Sequence, residues 1–346
     1  MIIFKIELDL ECDNCNFQVL GHLLEFYSFS QTHTIPIMKI TKIYVLAISA
    51  IMALAPIARG QTFQYLDPVA AKYDLFITAG PNASNENDRN YMDFKKSKGS
   101  VGGFDGLMGL GQHSWNYVES GVNFSGELNR HSQLYDLQFN PTLQPGAVIN
   151  PPSSAIDADL NAADAFIKSY VTYLSGLTTT QSFSQRNSAW TVNTTQDVTV
   201  LDVAGFNMSG SGDAITLNGR VGGDDIIVIR SNADSLWAGG APVILNNIDR
   251  RNVIWLTTGN KNFDLHKNGG ANFEGVIINS ATTPQSDYTT IIGDVDFKGQ
   301  IYASHIKLGT DVFITGSSTF GPPIPEPSSV LLVLTACAGL MFRRSR

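Results

Sequence analysis

The sequence predicts a mainly β fold: a solenoid of short stacked strands with one amphipathic helix alongside. From Val198 onward, β-rich runs recur about every 10 to 17 residues with no helical period, as in a sandwich, barrel or solenoid. Gly, Asn or Asp stands at nearly every junction, which favours stacked coils among the three. A single stretch near the middle breaks this pattern with a helical stripe. The 346 residues can bury a sizeable core, and a content of 31 Gly with only 16% charged residues suits many short turns rather than a helical bundle. A net charge of -8 excludes the basic footprint of a nucleic-acid binder.

Along the chain, Tyr73-Asp-Leu-Phe-Ile-Thr78 reads as a first strand. Gly99 to Gly111 contains six glycines and predicts tight turns. Gln133 to Phe139 alternates with period two, as a half-buried strand does. Pro151-Pro152 then ends the extended stretch, Ser154 with Asp157 forms a capping box, and Gly176 stands at a C-cap position, so a helix spans 154–176. Ile156, Leu160, Ala163, Ile167, Tyr170 and Leu174 recur at three and four residues and form one apolar stripe. Such a helix is about 32 Å long and covers six or seven coils spaced about 4.8 Å apart. The later strands are Val198–Val203, Ala214–Leu217, Ile226–Ile229, Val243–Leu245, Asn252–Leu256, Phe273–Ile278, Gln300–Ala303 and Val312–Thr315.

The two ends read as addresses. Met38-Lys39-Ile40-Thr41-Lys42 is a positive start, residues 43–58 are apolar, and Ala58-Arg59-Gly60 precedes Gln61 as a small-x-small cleavage site. Residues 38–60 are therefore a signal peptide handled by the secretion translocon and signal peptidase, and residues 1–37 an extension from a wrongly chosen start codon. Cys12 and Cys15 make a lone CxxC, which is weak as a metal or redox motif, and no cysteine lies between Gly60 and Ile324. At the other end, Pro325-Glu326-Pro327 is followed by an apolar run from Val330 to Phe342 and then by Arg343, Arg344 and Arg346. As a helix, the stretch from Ser328 to Phe342 is about 22 Å long, short against a bilayer core of about 30 Å. The arginines stay cytoplasmic and place everything before Pro325 across the membrane.

These three parts in order resemble the PEP-CTERM sorting signal of Gram-negative bacteria, here residues 321–346. The resemblance implies a transmembrane sorting helix, recognition by an exosortase and removal of the tail near Pro325. The segment 61–320 resembles the choice-of-anchor A adhesive domain through Tyr73-Asp-Leu-Phe-Ile, the central helix, Asp213-Ala-Ile-Thr-Leu-Asn218, Asp225-Ile-Ile-Val-Ile229, Asn252-Val-Ile-Trp255 and Phe273-Glu-Gly-Val-Ile-Ile278. The last two blocks are also similar to ice-binding adhesins, which implies a right-handed β-solenoid with a parallel helix.

No catalytic constellation stands out. His113, His131, His266 and His305 lack HExxH or Cys/His spacing, there is no GxSxG elbow, and the glycine run lacks the GK[ST] of a phosphate cradle. Asp224-Asp225 and Asp294-Val295-Asp296 place carboxylates together on turns, where calcium could bind or a glycosidase acid and base could sit; solvated turns are the plainer reading. Arg89, Lys95, Lys96 and Lys98, interleaved with Tyr91 and Phe94, form a basic patch that could contact an acidic exopolysaccharide by charge and stacking. Thr178-Thr-Thr180 and Thr289-Thr290 do not make the sustained Thr row that an ice surface would call for. The expectation is an exported, non-enzymatic adhesin of the cell envelope or extracellular matrix, with no cofactor. The alternatives are an ice-binding adhesin or a polysaccharide-acting solenoid enzyme.

Overall fold

A computed structural model describes residues 63–81, 89–95, 103–208, 210, 212–222, 225–237, 241–259, 261–266, 271–280, 289–292, 295–309 and 312–315. The signal segment, the cleavage site at Ala58, Gly60 and Gln61, and the sorting residues Pro325, Glu326, Pro327, Arg343, Arg344 and Arg346 lie outside these residues. None of the described helices is long and apolar enough to cross a membrane.

Every ladder of paired strands runs parallel. Sheet A has 14 strands; ten stack in the order Val148–Ile149, Glu127–Arg130, Leu107–Leu110, Leu75–Ile77, Val295–Ala303, Ala271–Asn279, Val253–Thr257, Ile226–Ser231, Val198–Val203 and Gln181–Phe183, and Val312–Thr315, Gly103–Asp105, Asn123–Phe124 and Thr142–Leu143 branch from Val295–Ala303. Sheet B runs Phe206–Met208, Ser235–Trp237, Phe263–His266, Thr289–Ile292, His305–Leu308, Tyr91–Phe94, Trp115–Val118 and Asp136–Phe139. Sheet C holds Trp190–Asn193, Ile215–Asn218 and Val243–Asn246. This is the solenoid that the turn-punctuated strands predict.

The order of coils does not follow the chain. The first strand of sheet A, Leu75–Ile77, pairs with Val295–Ala303, so the beginning and end of the solenoid meet in its middle. From there the chain stacks outward through Leu107–Leu110 and Glu127–Arg130 to Val148–Ile149. It restarts at the opposite end with Gln181–Phe183 and returns coil by coil. The connection between the two stacks is the long helix.

Two helices are described: α1 (Pro68–Ala71) and α2 (Ser154–Gly176). The bounds of α2 agree with the sequence expectation, but its cap does not. Ser153 accepts from Ile156 N at 3.3 Å, whereas Asp157 turns outward to accept from Ser132 N at 2.8 Å. The capping box fails because the N-cap is Ser153 rather than Ser154, which puts Ile156 at the third helical position and frees Asp157 to tether the helix to the coil. At the other end Arg230 Nη1 donates to the carbonyls of Leu174, Ser175 and Leu177 at 3.1, 2.9 and 2.8 Å. Between these anchors lie six strand-to-strand steps, about 29 Å, and Asp157 to Leu174 is about 26 Å of helix. The helix length thus matches the stack it must span.

Two apolar layers result from the alternation of side chains along sheet A. Inward residues such as Leu75, Met108, Ile301, Ile277, Trp255, Ile229 and Leu201 fill the solenoid core. The opposite set, including Phe76, Tyr302, Ile278, Leu256 and Val228, is equally buried but faces the stripe Leu160, Ala163, Ile167, Tyr170 and Leu174 of α2. Both faces of sheet A are therefore apolar, as parallel sheets with covered faces require.

Two of its strands, Ala271–Asn279 and Val295–Ala303, are longer than the sequence runs suggest because they turn a corner without breaking the ladder. The corner is Gly275 paired with Gly299, at φ 129° and 155°. A Cβ on Gly299 would sit 1.9 Å from the Gly275 carbonyl oxygen, so the coils can stack this closely only without side chains there. The glycine-rich segment before Gly111 also differs from expectation. Gly103–Asp105 and Leu107–Leu110 are strands on either side of a corner at Gly106, since repeated glycines serve closely stacked coils as well as turns.

Candidate functional site

Two outward surfaces carry organised chemistry. On sheet C the register places Thr191 beside Thr216 and Thr216 beside Ile244. Two residues along each strand, Asn193, Asn218 and Asn246 form a second row. The intervening Val192, Leu217 and Leu245 point into the core, with Val192 and Leu217 buried and Leu245 packed against it. The asparagines are joined in a ladder: Asn218 Nδ2 donates to Asn193 Oδ1 and Asn246 Nδ2 to Asn218 Oδ1, each at 2.8 Å. Neighbouring rungs are about 4.8 Å apart and outward positions on one strand about 6.6 Å apart, so six uncharged side chains stand on a regular grid. The sequence reading missed this array. Its signal is Thr191-Val-Asn193 and Thr216-Leu-Asn218, 25 residues apart, followed by Ile244-Leu-Asn246. A search for contiguous threonines passes over it.

The second surface is on sheet B, where the predicted basic patch lies. Tyr91 and Asp93 face outward, while Phe94 is buried in the core at 1% exposure and leaves the proposed contact surface. Its place in the alternation of Tyr91–Phe94 decides this. Arg89 is also buried, with its guanidinium 2.9 Å from the centroid of the exposed Tyr135 ring. Lys95 pairs with Asp93 at 2.5 Å, and Lys96 and Lys98 lie outside the described residues. The patch thus has two of its four cations, Arg89 and Lys95, among the described residues. It is richer in aromatics, because Trp115 is the cross-strand neighbour of Tyr91 and Tyr117 that of Asp93. Tyr91 and Trp115 meet edge to face with centroids 6.2 Å apart, and the Trp115 and Tyr117 rings lie within 9° of parallel at 6.4 Å. Trp115 Nε1 donates to Asp136 Oδ2 at 3.2 Å.

Among the described residues no group of His, Cys, Asp or Glu could hold a metal ion, and only one carboxylate of each acidic pair is described. Asp224 and Asp294 are outside them. Asp225 is 3% exposed and accepts from Arg220 Nε at 2.9 Å, from the Arg220 backbone N at 2.6 Å and from Thr194 Oγ1. Burial pushes its carboxyl up, but these hydrogen bonds and the Arg220 charge outweigh it and hold the group down at about 2. An arginine thus takes the place the calcium reading left for a cation. Asp296 lies 3.4 Å from Lys298 on its own strand. Two of the histidines have local partners: His305 is buried between Ser304 Oγ at 2.9 Å and the Arg89 carbonyl at 3.1 Å, and His131 meets Asn161 at 3.2 Å.

A cleft of about 470 Å³ opens where α2 ends on sheet A, lined by the apolar Phe183, Val203 and Ala204 as well as Ser182, Asp202 and Arg230, among others. Arg230 is committed here to the helix carbonyls and to Asp202, at 2.6 Å from its Nε. Burial pushes the Asp202 carboxyl up, and hydrogen bonds from Arg230 and Thr179 hold it below the usual range.

Taken together, the parallel solenoid, the helix along its side and two outward faces of repeated side chains define a surface-presenting scaffold. No family model matches the chain, and no curated protein matches it. Among solved structures it is similar to an ice-binding protein from an Antarctic bacterium of the Flavobacteriaceae, at 16% identity and a TM-score of 0.46, covering 72% of this chain and 46% of that one. An ice-binding protein from an Arctic yeast is similar at 13% identity and TM-score 0.46, covering 75% and 97% of the two chains. Another, from an Antarctic biological consortium, has 12% identity and TM-score 0.48, with 75% and 93% covered.

Proposed function

We propose that the protein is an exported surface-binding protein, not an enzyme, and that the Thr/Asn array of sheet C is its contact with ice. The observation that carries this reading is the in-register pair of rows, Thr191–Thr216–Ile244 and Asn193–Asn218–Asn246. A crystalline surface repeats in two directions, and a ligand of that kind is matched by side chains repeating in two directions on a rigid support. The ladder hydrogen bonds fix the asparagine amides before contact, and β-branched Thr and Ile are stiff at χ1, so little side-chain freedom is lost on docking. The grid bears hydroxyl, amide and methyl groups and no charge that would hold its own hydration shell. The export and sorting signals read from the sequence would deliver the solenoid outside the cell, where such a surface forms.

The test is ice-recrystallisation inhibition and thermal hysteresis with the full chain. The parent should be active, and Thr216→Tyr and Asn218→Lys, both outward, should abolish activity while leaving the melting temperature close to the parent's. Inactivity of the folded parent, or full activity of both variants, would overturn the reading.

A further inference from the structure

We infer that the aromatic shelf of sheet B is a second binding site, for a linear neutral polysaccharide. It belongs to a different sheet from the Thr/Asn array and does not depend on what that array binds. Tyr91, Trp115 and Tyr117 are outward on adjacent strands, only half-buried, and exposed Tyr135 continues the surface beside Trp115. Aromatic rings shown to water on a rigid sheet are costly unless something covers them, and their faces suit a partner that is apolar on one side and hydroxylated at its rim. A pyranose ring has that character. The near-parallel Trp115 and Tyr117 rings, 6.4 Å apart, are spaced to meet successive sugars of one chain.

The polar groups on the shelf suit hydroxyl donors. Asp136 holds the indole of Trp115 in place through one oxygen. Asp93, directly across from Tyr117, engages Lys95 with Oδ2, while its Oδ1 is buried with no hydrogen-bond partner among the described residues. A buried acceptor left unpaired costs about 1–3 kcal/mol, which a sugar hydroxyl recovers if the Asp93 carboxylate turns that oxygen outward on binding.

The charges argue for a neutral chain rather than the acidic one that the sequence suggests. Arg89, Lys95 and Lys307 are accompanied on and around the shelf by Asp93, Glu119 and Asp136. Arg89 stacks on Tyr135, and Lys95 is paired with Asp93 and lies 5.7 Å from the Tyr117 ring. Among the described residues a polyanion would meet no excess of positive charge on this surface and would face the carboxylates of Asp93 and Asp136.

Native affinity electrophoresis of the full chain, with mixed-linkage β-glucan, xylan or alginate cast in the gel, tests this. Retardation is expected with at least one neutral polymer and not with alginate. Trp115→Ala and Tyr117→Ala should each weaken it by about ten-fold or more, and Asn218→Lys on the other face should leave it unchanged. Should either alanine variant fail to fold, Asp93→Asn, which keeps the shape of the shelf, must still weaken retardation. Absence of retardation in both neutral gels, retardation by alginate alone, or retention of parental mobility shifts in the folded shelf variants would each overturn the proposal. Ice activity is read separately and is expected to survive Trp115→Ala.

Discussion

Asp225 shows how one side chain can be read as a ligand from sequence and as a structural partner from its surroundings. Its folded-state carboxyl is held near 2 against an ordinary 3.8, so the charged form is the one that the fold prefers. The contribution to stability is complete above the ordinary value and is lost as pH falls from 3.8 toward about 2. Urea midpoints measured across that range should fall steeply in the parent. Asp225→Asn should be less stable at neutral pH and show a shallower acid limb. Arg230 is the complementary case, a buried cation that ends a helix. It donates to the carbonyls of Leu174, Ser175 and Leu177 at the end of α2, beside the Leu177 N–H that also reaches the Leu174 carbonyl, at the terminus where the sequence places a Gly176 cap. Arg230→Met should lower stability by about 2–3 kcal/mol, since Asp202 stays partly solvated and only the hydrogen bonds to a charged donor are lost.

At the scale of elements, the helix and the corner decide whether the coils stay stacked. The stripe of α2 covers the outer apolar layer of sheet A, which would otherwise be open to water. Ile167, 2% exposed, lies at the middle of that stripe. Ile167→Ala should destabilise the domain by about 2–4 kcal/mol, measured by chemical denaturation, through lost burial and the cavity left behind. The Gly275–Gly299 corner works differently, through backbone approach. Gly299→Ala forces a methyl against the Gly275 carbonyl and should cost about 1–3 kcal/mol with no change in buried apolar area, so its denaturation slope should match the parent's.

Considered as a whole molecule, the protein joins a stacked scaffold to two faces of different chemistry among its described residues, one uncharged and regular, the other aromatic. An adhesin of the cell surface could use both, holding an ordered surface with one and matrix glycan with the other. The sorting reading belongs to this scale as well. Expression from Met38 with a matching exosortase should give a product running from near Gln61 to near Pro325 by intact mass. Retention of residues through Arg346 would withdraw it.

The helix and the longer strands of sheets A and C from Val198 onward were legible in the chain because they depend on local patterns, three- and four-residue spacing in α2 and apolar runs between turn residues, whereas of sheet B only Asp136–Phe139 fell within a predicted run, its other short strands carrying too few residues to show a period. Phe94 shows where local reading stops. Beside lysines it looks like part of a contact surface, yet its parity in Tyr91–Phe94 commits it to the core. Tyr117 and Trp115, 24 or more residues from Tyr91, join it only because parallel pairing sets their strand beside it. The asparagine ladder is hidden for the same reason, since its members are 25 and 28 residues apart and become neighbours through register alone. Composition and periodicity by themselves determined a β-rich, turn-punctuated chain with one helix able to lie along it. Only the tertiary structure decided that the first coil inserts beside the last, which outward residues align into rows, and that arginines occupy positions left open for a cap and a cation. Those outcomes rest on non-local strand pairing and burial, which no window of sequence contains.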